Sequence, residues 1–91
     1  MPRKNREQTY AELIALIGER IREVRKLKGY TNFERIAGKA DISRPQWGRY
    51  ETGTEMNLST LIHILVSLEI DFKEFFTDEL NQAINEFMTH K

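Results

Sequence analysis

Apolar residues recur at steps of three and four along almost the whole chain, and this spacing limits the folds that the sequence can adopt. In the stretch 8–28, QTYAELIALIGERIREVRKLK, the recurring residues are Leu13, Ile17, Ile21, Val24 and Leu27. Such steps put side chains on one face of an α-helix, whereas a half-buried strand alternates strictly. Gly18 interrupts this pattern at a cost of about 1 kcal/mol, too little to end a helix. Gly29 is a favourable stop signal. The spacing therefore predicts a long first helix over 8–28.

Five further helices are expected from the same spacing and from their end signals. Four of them cover 33–40, 44–52, 58–68 and 79–90, and a short one before the last holds Phe72, Phe75 and Phe76. The expected N-caps are Asn32, Ser43, Asp71 and Asp78. Pro45 fits the first turn of the third helix, where the missing N–H costs nothing, and Gly53 ends that helix. The sequence therefore predicts an all-α protein.

In each predicted helix, apolar side chains share a face that we expect to enter one core. In the second helix they are Phe33, Ile36, Ala37 and Ala40. In the fourth they are Leu58, Leu61, Ile62, Leu65 and Leu68. In the last they are Leu80, Ala83, Ile84, Phe87 and Met88. The segment LIHILV is rich in residues that favour strands, but the helical stripe around it and the lack of a partner strand favour a helix.

Length and composition restrict the class of protein. A chain of 91 residues predicts a single domain, residues 1–91, with one modest core. The absence of cysteine excludes disulfides, thiolate metal sites and a cysteine nucleophile. No apolar run approaches the roughly 20 residues of a membrane span, and the first residues lack the apolar segment of a signal peptide. We therefore expect a cytoplasmic protein without a membrane partner.

The charges are distributed unevenly between the two halves of the chain. Residues 1–50 hold 12 Lys and Arg against 6 Asp and Glu, whereas residues 51–91 hold 2 against 8. The net charge of zero thus hides a basic half and an acidic half. Such asymmetry is a cue for a polyanion partner, although solvated charged faces produce it equally well.

The stretch ADISRPQWGRYETG, residues 40–53, carries the main functional signal. On a helix that begins at Arg44, Trp47 and Tyr50 share one face, and Arg44, Pro45, Gly48 and Arg49 share another. An outward arginine fork suits the O6/N7 edge of guanine in the major groove. Glycine at position 48 lowers the stability of a helix. That cost is more readily tolerated if another molecule must approach the helix closely at this position. The alternative is an amphipathic helix whose two arginines are merely solvated.

A wider resemblance favours the first interpretation. The segments IREVRKLKG, IAGKADIS, GRYETG and STLIHILVSLEIDFKEFF occur in this order within residues 17–76. This combination resembles the Cro/phage-repressor-like helix-turn-helix family of transcriptional regulators. The resemblance implies a five-helix, lambda-repressor-like DNA-binding domain with its motif within 33–52. Here the first helix would be extended, and the helix at 79–90 would be additional.

The resemblance also implies roles for individual residues. Positions that touch DNA in the family are occupied by Asn32, Ser43, Arg44, Pro45 and Arg49, with Gln46 as a further phosphate contact. The family pairs an arginine before the first glycine with a glutamate after the recognition helix, which here implies a partly buried Arg25–Glu51 ion pair that clamps the first helix onto the third.

Three positions depart from the family pattern. Phe33 stands where a glutamine often supports DNA contacts, and we expect it to be core or a wedge against the DNA backbone. Glu55 lies in the loop after the third helix, where basic residues often bind phosphates, so few phosphate contacts and a shallow salt dependence are expected. Glu69 stands between the fourth and fifth helices, where the family commonly has a glycine.

The two ends of the chain supply apolar residues beyond those of the resemblance. Members of this class normally dimerise on half-sites about 34 Å apart. We expect a homodimer on a palindromic site, with an interface formed by Leu13, Ile14, Leu16, Ile84, Phe87 and Met88. The alternative is that the two ends pack only on each other within one chain.

These patterns predict a repressor-type regulator whose partner is double-stranded DNA. The alternative function is a protein-interaction module, such as an antitoxin-type partner, with weak or no DNA binding. We expect no enzyme, no cofactor and no metal: His63 and His90 lack a spaced second ligand, and no phosphate-binding glycine-rich loop is present.

Overall fold

The computed structural model describes residues 6–89, and side chains from Tyr10 onwards. This part of the chain is helical, without strands. Its elements are α1 (Arg6–Leu27), α2 (Glu34–Ala40), α3 (Arg44–Glu51), α4 (Leu58–Leu68), α5 (Phe72–Phe75) and α6 (Asp78–Thr89). The prediction of an all-α protein is confirmed, and the helix ends lie within two residues of the predicted ones. His90 lies outside the described residues.

Side-chain caps begin α3, α4, α5 and α6. The Ser43 hydroxyl accepts from the amide of Gln46 at 3.2 Å and starts α3, and the Asp71 carboxylate starts α5 by accepting from Glu74 at 2.8 Å. Both caps match the prediction. Asn57, which the sequence analysis did not single out, caps α4 by accepting from the amide of Thr60 at 2.8 Å.

Two of the predicted caps were misplaced. At α2, Phe33 occupies the cap position without a side-chain bond, while Asn32 Oδ1 accepts from the amide of Glu34 at 3.1 Å. At α6, the Thr77 hydroxyl accepts from the amide of Leu80 at 3.3 Å, and Asp78 is the first helical residue. Carboxylates are favourable both at the cap and in the first turn, because both places lie near the positive end of the helix dipole.

The core lies between α1 and α3, and between α2 and α4. α1 packs against α3 and α6, and α2 packs against α3 and α4. The largest fully buried side chains are Trp47, Phe75, Ile21, Ile36, Ile64, Leu68 and Val24. Trp47 is thus the central residue on the inner face of α3.

Four residues predicted to be in the core are exposed instead, and one of them is Met88 at the end of α6, which is 54% accessible. Leu27, Leu58 and Ile62 are 73%, 67% and 41% accessible, respectively. α4 has apolar residues on almost every side, so the spacing alone does not select one buried face. The face that contacts the core holds Ile64, Leu65 and Leu68. Val66, which is 67% accessible, lies with Leu58 and Ile62 at four-residue steps, so α4 carries a second, exposed apolar stripe.

Gly18 has a role that the sequence analysis missed, because it treated this residue only as an interruption of the first helix. A Cβ atom at Gly18 would lie 2.5 Å from the carbonyl oxygen of Tyr50 and 2.8 Å from that of Glu51. The glycine therefore lets the C-terminal end of α3 cross directly over α1. Gly53 makes a similar approach to Ala15, and its φ of 104° favours glycine as well.

Candidate nucleic-acid interface

A buried polar cluster anchors the inner face of α3. Arg25 donates to Glu51 through both Nε, at 2.6 Å, and Nη2, at 3.2 Å. Trp47 Nε1 also donates to Glu51 Oε2, at 2.6 Å, and Arg25 Nη1 donates to the carbonyl of Tyr30 at 2.7 Å. Each of these polar groups is satisfied, so the cluster fixes α3 against α1 without leaving a stranded charge. The structure thus contains the Arg25–Glu51 pair that the resemblance implies.

The opposite side of α3 faces outward. Arg44, Pro45 and Arg49 are exposed, and Gln46 and Gly48 are partly exposed. Tyr50 packs against the core together with Trp47. The division of α3 into an aromatic inner face and a cationic outer face therefore agrees with the helical spacing.

Arg44 forms an ion pair with Glu34 across the turn between α2 and α3. Its Nη1 atom donates to Glu34 Oε1, and the two side chains remain 65% and 59% accessible. These residues are the first of α3 and of α2, respectively. The sequence alone does not indicate this pair, because a separation of ten residues carries no signal until the angle between the two helices is known.

Arg49 is oriented by a residue of its own helix. Its Nε and Nη2 atoms donate to Gln46 Oε1 at 3.1 and 2.7 Å. These two bonds use the edge of the guanidinium that is formed by Nε and Nη2. The other edge, formed by Nη1 and Nη2, points away from Gln46. An arginine has five N–H donors, so three remain for an external acceptor. Gln46 therefore orients Arg49 through Oε1, and the phosphate contact that the resemblance implies for Gln46 stays a prediction.

The space beside Gly48 is not needed by the fold itself. A Cβ atom there would lie 3.5 Å from the ring of Phe33, which is an ordinary contact. Phe33 is half-buried, packs against the core and lies with its ring centroid 5.8 Å from the Arg25 guanidinium. Asn32, beside it, is exposed. Ala at position 48 is therefore compatible with the protein, and the small residue leaves the outer surface of α3 open to another molecule.

A shallow groove of about 460 Å³ with a mixed polar and apolar lining lies beside the start of α3, between α3 and the first turns of α4. Ser43 and Gln46 line one side of it, and Ser59 and Thr60 line the other. His63, also at the groove, lies with Nε2 2.6 Å from the carbonyl oxygen of Ala40. This contact joins α4 to the C-terminal end of α2.

Several basic residues bind other parts of the chain instead of forming one cationic surface. Arg20 donates to the carbonyls of Phe75 and Glu74, at 2.7 and 2.8 Å, and so closes the end of α5. Lys28 donates to the carbonyl of Glu69 at 2.9 Å. Much of the positive charge in the first half of the chain is therefore used within the fold.

Glu69 adopts the left-handed conformation, with φ of 57°, at the end of α4. Its carboxylate accepts from Lys39 at 3.1 Å, and this bond raises the pKa of the Lys39 ammonium above its ordinary value. Glu69 thus links the end of α4 to α2.

The apolar residues at the two chain ends meet within one chain. The rings of Tyr10 in α1 and Phe87 in α6 lie 5.4 Å apart. The predicted interface residues Leu13, Ile14, Ile84 and Phe87 are half-buried. Leu16 and Met88 remain 37% and 54% accessible. Intramolecular packing partly covers most of this set and leaves Leu16 and Met88 exposed.

The chain was compared with family models, with curated proteins and with solved structures, and none of the three gave a significant match. Within residues 6–89, the helices are all too short or too polar to cross a membrane. In the same part of the chain, no three His, Cys, Asp or Glu side chains are grouped so that they could hold a metal ion.

Proposed function

We propose that this protein is a sequence-specific DNA-binding regulator in which α2, the turn 41–43 and α3 form a helix-turn-helix within a lambda-repressor-like fold. In this proposal α3 enters the major groove. The two faces of α3 are the observation that carries it. One is anchored by the buried Trp47, Glu51 and Arg25, and the other exposes Arg44 and Arg49. A reading helix must be rigid and must present its donors to solvent, and α3 meets both conditions.

The donors on α3 match the chemistry of a guanine edge. The free end of the Arg49 guanidinium has two parallel N–H groups, which suit O6 and N7 of guanine. Ser43 and Asn32 lie exposed at the starts of α3 and α2, where hydroxyl and amide groups can donate to phosphates. Pro45 presents apolar surface to a thymine methyl. Gly48 allows the sugar-phosphate surface to approach the helix closely.

Replacing Arg49 by alanine is expected to weaken binding to a preferred duplex by about 1–3 kcal/mol and to relax the preference at one base position. The preferred duplex comes from selection out of a random pool, and mobility shift measures the affinity. Lys73→Ala, which removes one positive charge from α5, is the control and should leave the preference intact.

Arg44→Ala is tested in the same way. If neither arginine variant alters binding to any duplex, the proposal is wrong and the protein-interaction module, of the antitoxin type, becomes the better description. In that case the exposed face of α3 would contact a protein.

We propose further that the regulator is a homodimer that binds a palindromic site. A single reading helix contacts only a few base pairs, and two copies about 34 Å apart double the site. The proposed contact includes the exposed residues Leu16 of α1 and Met88 of α6, and it is extended by Leu13, Ile14, Ile84 and Phe87.

The double variant Leu16→Lys/Met88→Lys is expected to convert the dimer to a monomer, because it places two charges in an apolar contact. Sedimentation with and without DNA measures the mass. The double variant Leu58→Lys/Val66→Lys, which adds two charges to the exposed stripe of α4, is the matched control and should leave the dimer intact. If only the α4 variant is monomeric, the dimer contact lies on α4 instead. If the wild-type protein is a monomer with and without DNA, the homodimer is refuted.

A further inference from the structure

The ion pair between Glu34 and Arg44 joins the starts of two helices whose backbones are both held in place. Glu34 is the first residue of α2, and its amide donates to Asn32 Oδ1 at 3.1 Å. Arg44 is the first residue of α3, directly after the Ser43 cap. Both side chains are exposed, and Arg44 belongs to the outer face of α3, so its partner Glu34 lies beside that face. The pair therefore lies where the proposed function requires contact with DNA.

Stability gives little reason for this pair. Exposed ion pairs contribute about 0–1 kcal/mol to folding. A cation in the first turn of α3 also lies at the positive end of the helix dipole, which disfavours it. The Glu34 carboxylate offsets that unfavourable position. An arginine at this position is thus a poor choice for the helix alone.

We infer that Glu34 determines specificity through Arg44 by holding the guanidinium ready for a guanine base and away from phosphates. This inference rests on the proposed function. An arginine without a partner at the edge of α3 would bind any phosphate, which contributes affinity without sequence preference. The carboxylate repels phosphates and occupies one donor of Arg44. Four donors remain for a base edge.

The same pair reduces the entropic cost of recognising the correct site. Arginine side chains lose rotamer freedom on binding, and one that is already restrained loses less. Glu34 is therefore a positioning residue. It lowers the affinity for arbitrary DNA and preserves the affinity for the preferred site, so that the ratio of the two affinities rises.

The experiment compares the affinity for the selected duplex with that for a scrambled duplex, over a series of salt concentrations. Glu34→Gln keeps the size of the side chain and removes its charge. We expect binding to the scrambled duplex to strengthen and its salt dependence to steepen by roughly one phosphate contact, a change of about 0.9 in slope. The ratio of selected to scrambled affinity is expected to fall roughly tenfold, the order of one base contact.

Two further variants make the role of Arg44 testable. In the Arg44→Ala background, Glu34→Gln should leave the ratio unchanged, because the guanidinium that it positions is absent. Glu55→Gln removes the same charge from the loop after α3, where it should raise both affinities together and leave the ratio as it was. Circular dichroism checks that each variant keeps its helices.

The outcomes separate this inference from the proposed function. If the wild-type protein prefers the selected duplex but Glu34→Gln changes neither the ratio nor the salt slope, the inference fails and the proposed function stands. A change in ratio that persists without Arg44 likewise overturns the inference. If the wild-type protein binds no duplex, both fail.

Discussion

Glu51→Ala is expected to lower the free energy of unfolding by about 3–5 kcal/mol, because it leaves a buried charge without its partner. Arg25 is 4% accessible and directs Nε and Nη2 at the Glu51 carboxylate, and Trp47 Nε1 donates to the same group. Removing the carboxylate strands donors of both residues. Small domains are stable by only about 5–15 kcal/mol, so this loss removes a large fraction of the total stability.

Urea denaturation followed by circular dichroism measures this loss, and Glu55→Ala is the matched control. Glu55 is exposed in the loop after α3, so its replacement should change stability by no more than about 0.5 kcal/mol. The double variant Arg25→Met/Glu51→Leu should recover much of the loss, since no charge remains buried. A loss below about 1 kcal/mol for Glu51→Ala would show that the cluster does not anchor α3.

Gly18→Ala is the second substitution with a large expected effect, and its sign is opposite to the usual one. Alanine favours a helix over glycine by about 1 kcal/mol. At Gly18, however, the new methyl group would lie 2.5 Å from the Tyr50 carbonyl oxygen and 2.8 Å from that of Glu51. Both atoms belong to the backbone and cannot rotate away. Overpacking of this kind typically costs about 1–3 kcal/mol, so we expect a net loss of stability as α3 shifts away from α1.

Gly38→Ala is the control that separates overpacking from helix propensity. A Cβ atom at Gly38, in the interior of α2, meets nothing within 4 Å. That variant should gain about 0.5–1 kcal/mol, whereas Gly18→Ala should lose stability in the same thermal melt. Equal gains for the two would mean that α1 and α3 are not in close contact. If α3 also reads DNA, Gly18→Ala should weaken binding at temperatures where it remains folded.

Much of the local structure could be predicted because its causes lie close together in the chain. Ser43 and Pro45 mark the start of α3 within two residues of each other, and Gly53 marks its end. The steps from Trp47 to Tyr50 assign the inner face of that helix, and the arginines then fall on the outer one. The contact between Gln46 and Arg49 could also have been predicted from the sequence, since residues three apart on a helix are neighbours.

The misplaced caps at α2 and α6 are local errors of one residue, whereas the wrong burial assignments come from contacts between distant residues. α4 carries apolar residues on nearly all sides, and only its packing against α2 decides that Ile64 is buried and Ile62 exposed. Arg20 looks like any solvated arginine until α5 brings two carbonyls to it, 54 and 55 residues further along the chain.

The sequence by itself determined where the helices begin and end and which side of α3 carries its arginines, because hydrogen bonding and side-chain direction within one helix depend on residues at most four apart. The tertiary structure alone decided that Gly18 is a crossing point, that α4 exposes a second apolar stripe and that Glu34 holds Arg44. Each of these depends on the distance and angle between two helices, which result from the packing of the whole core.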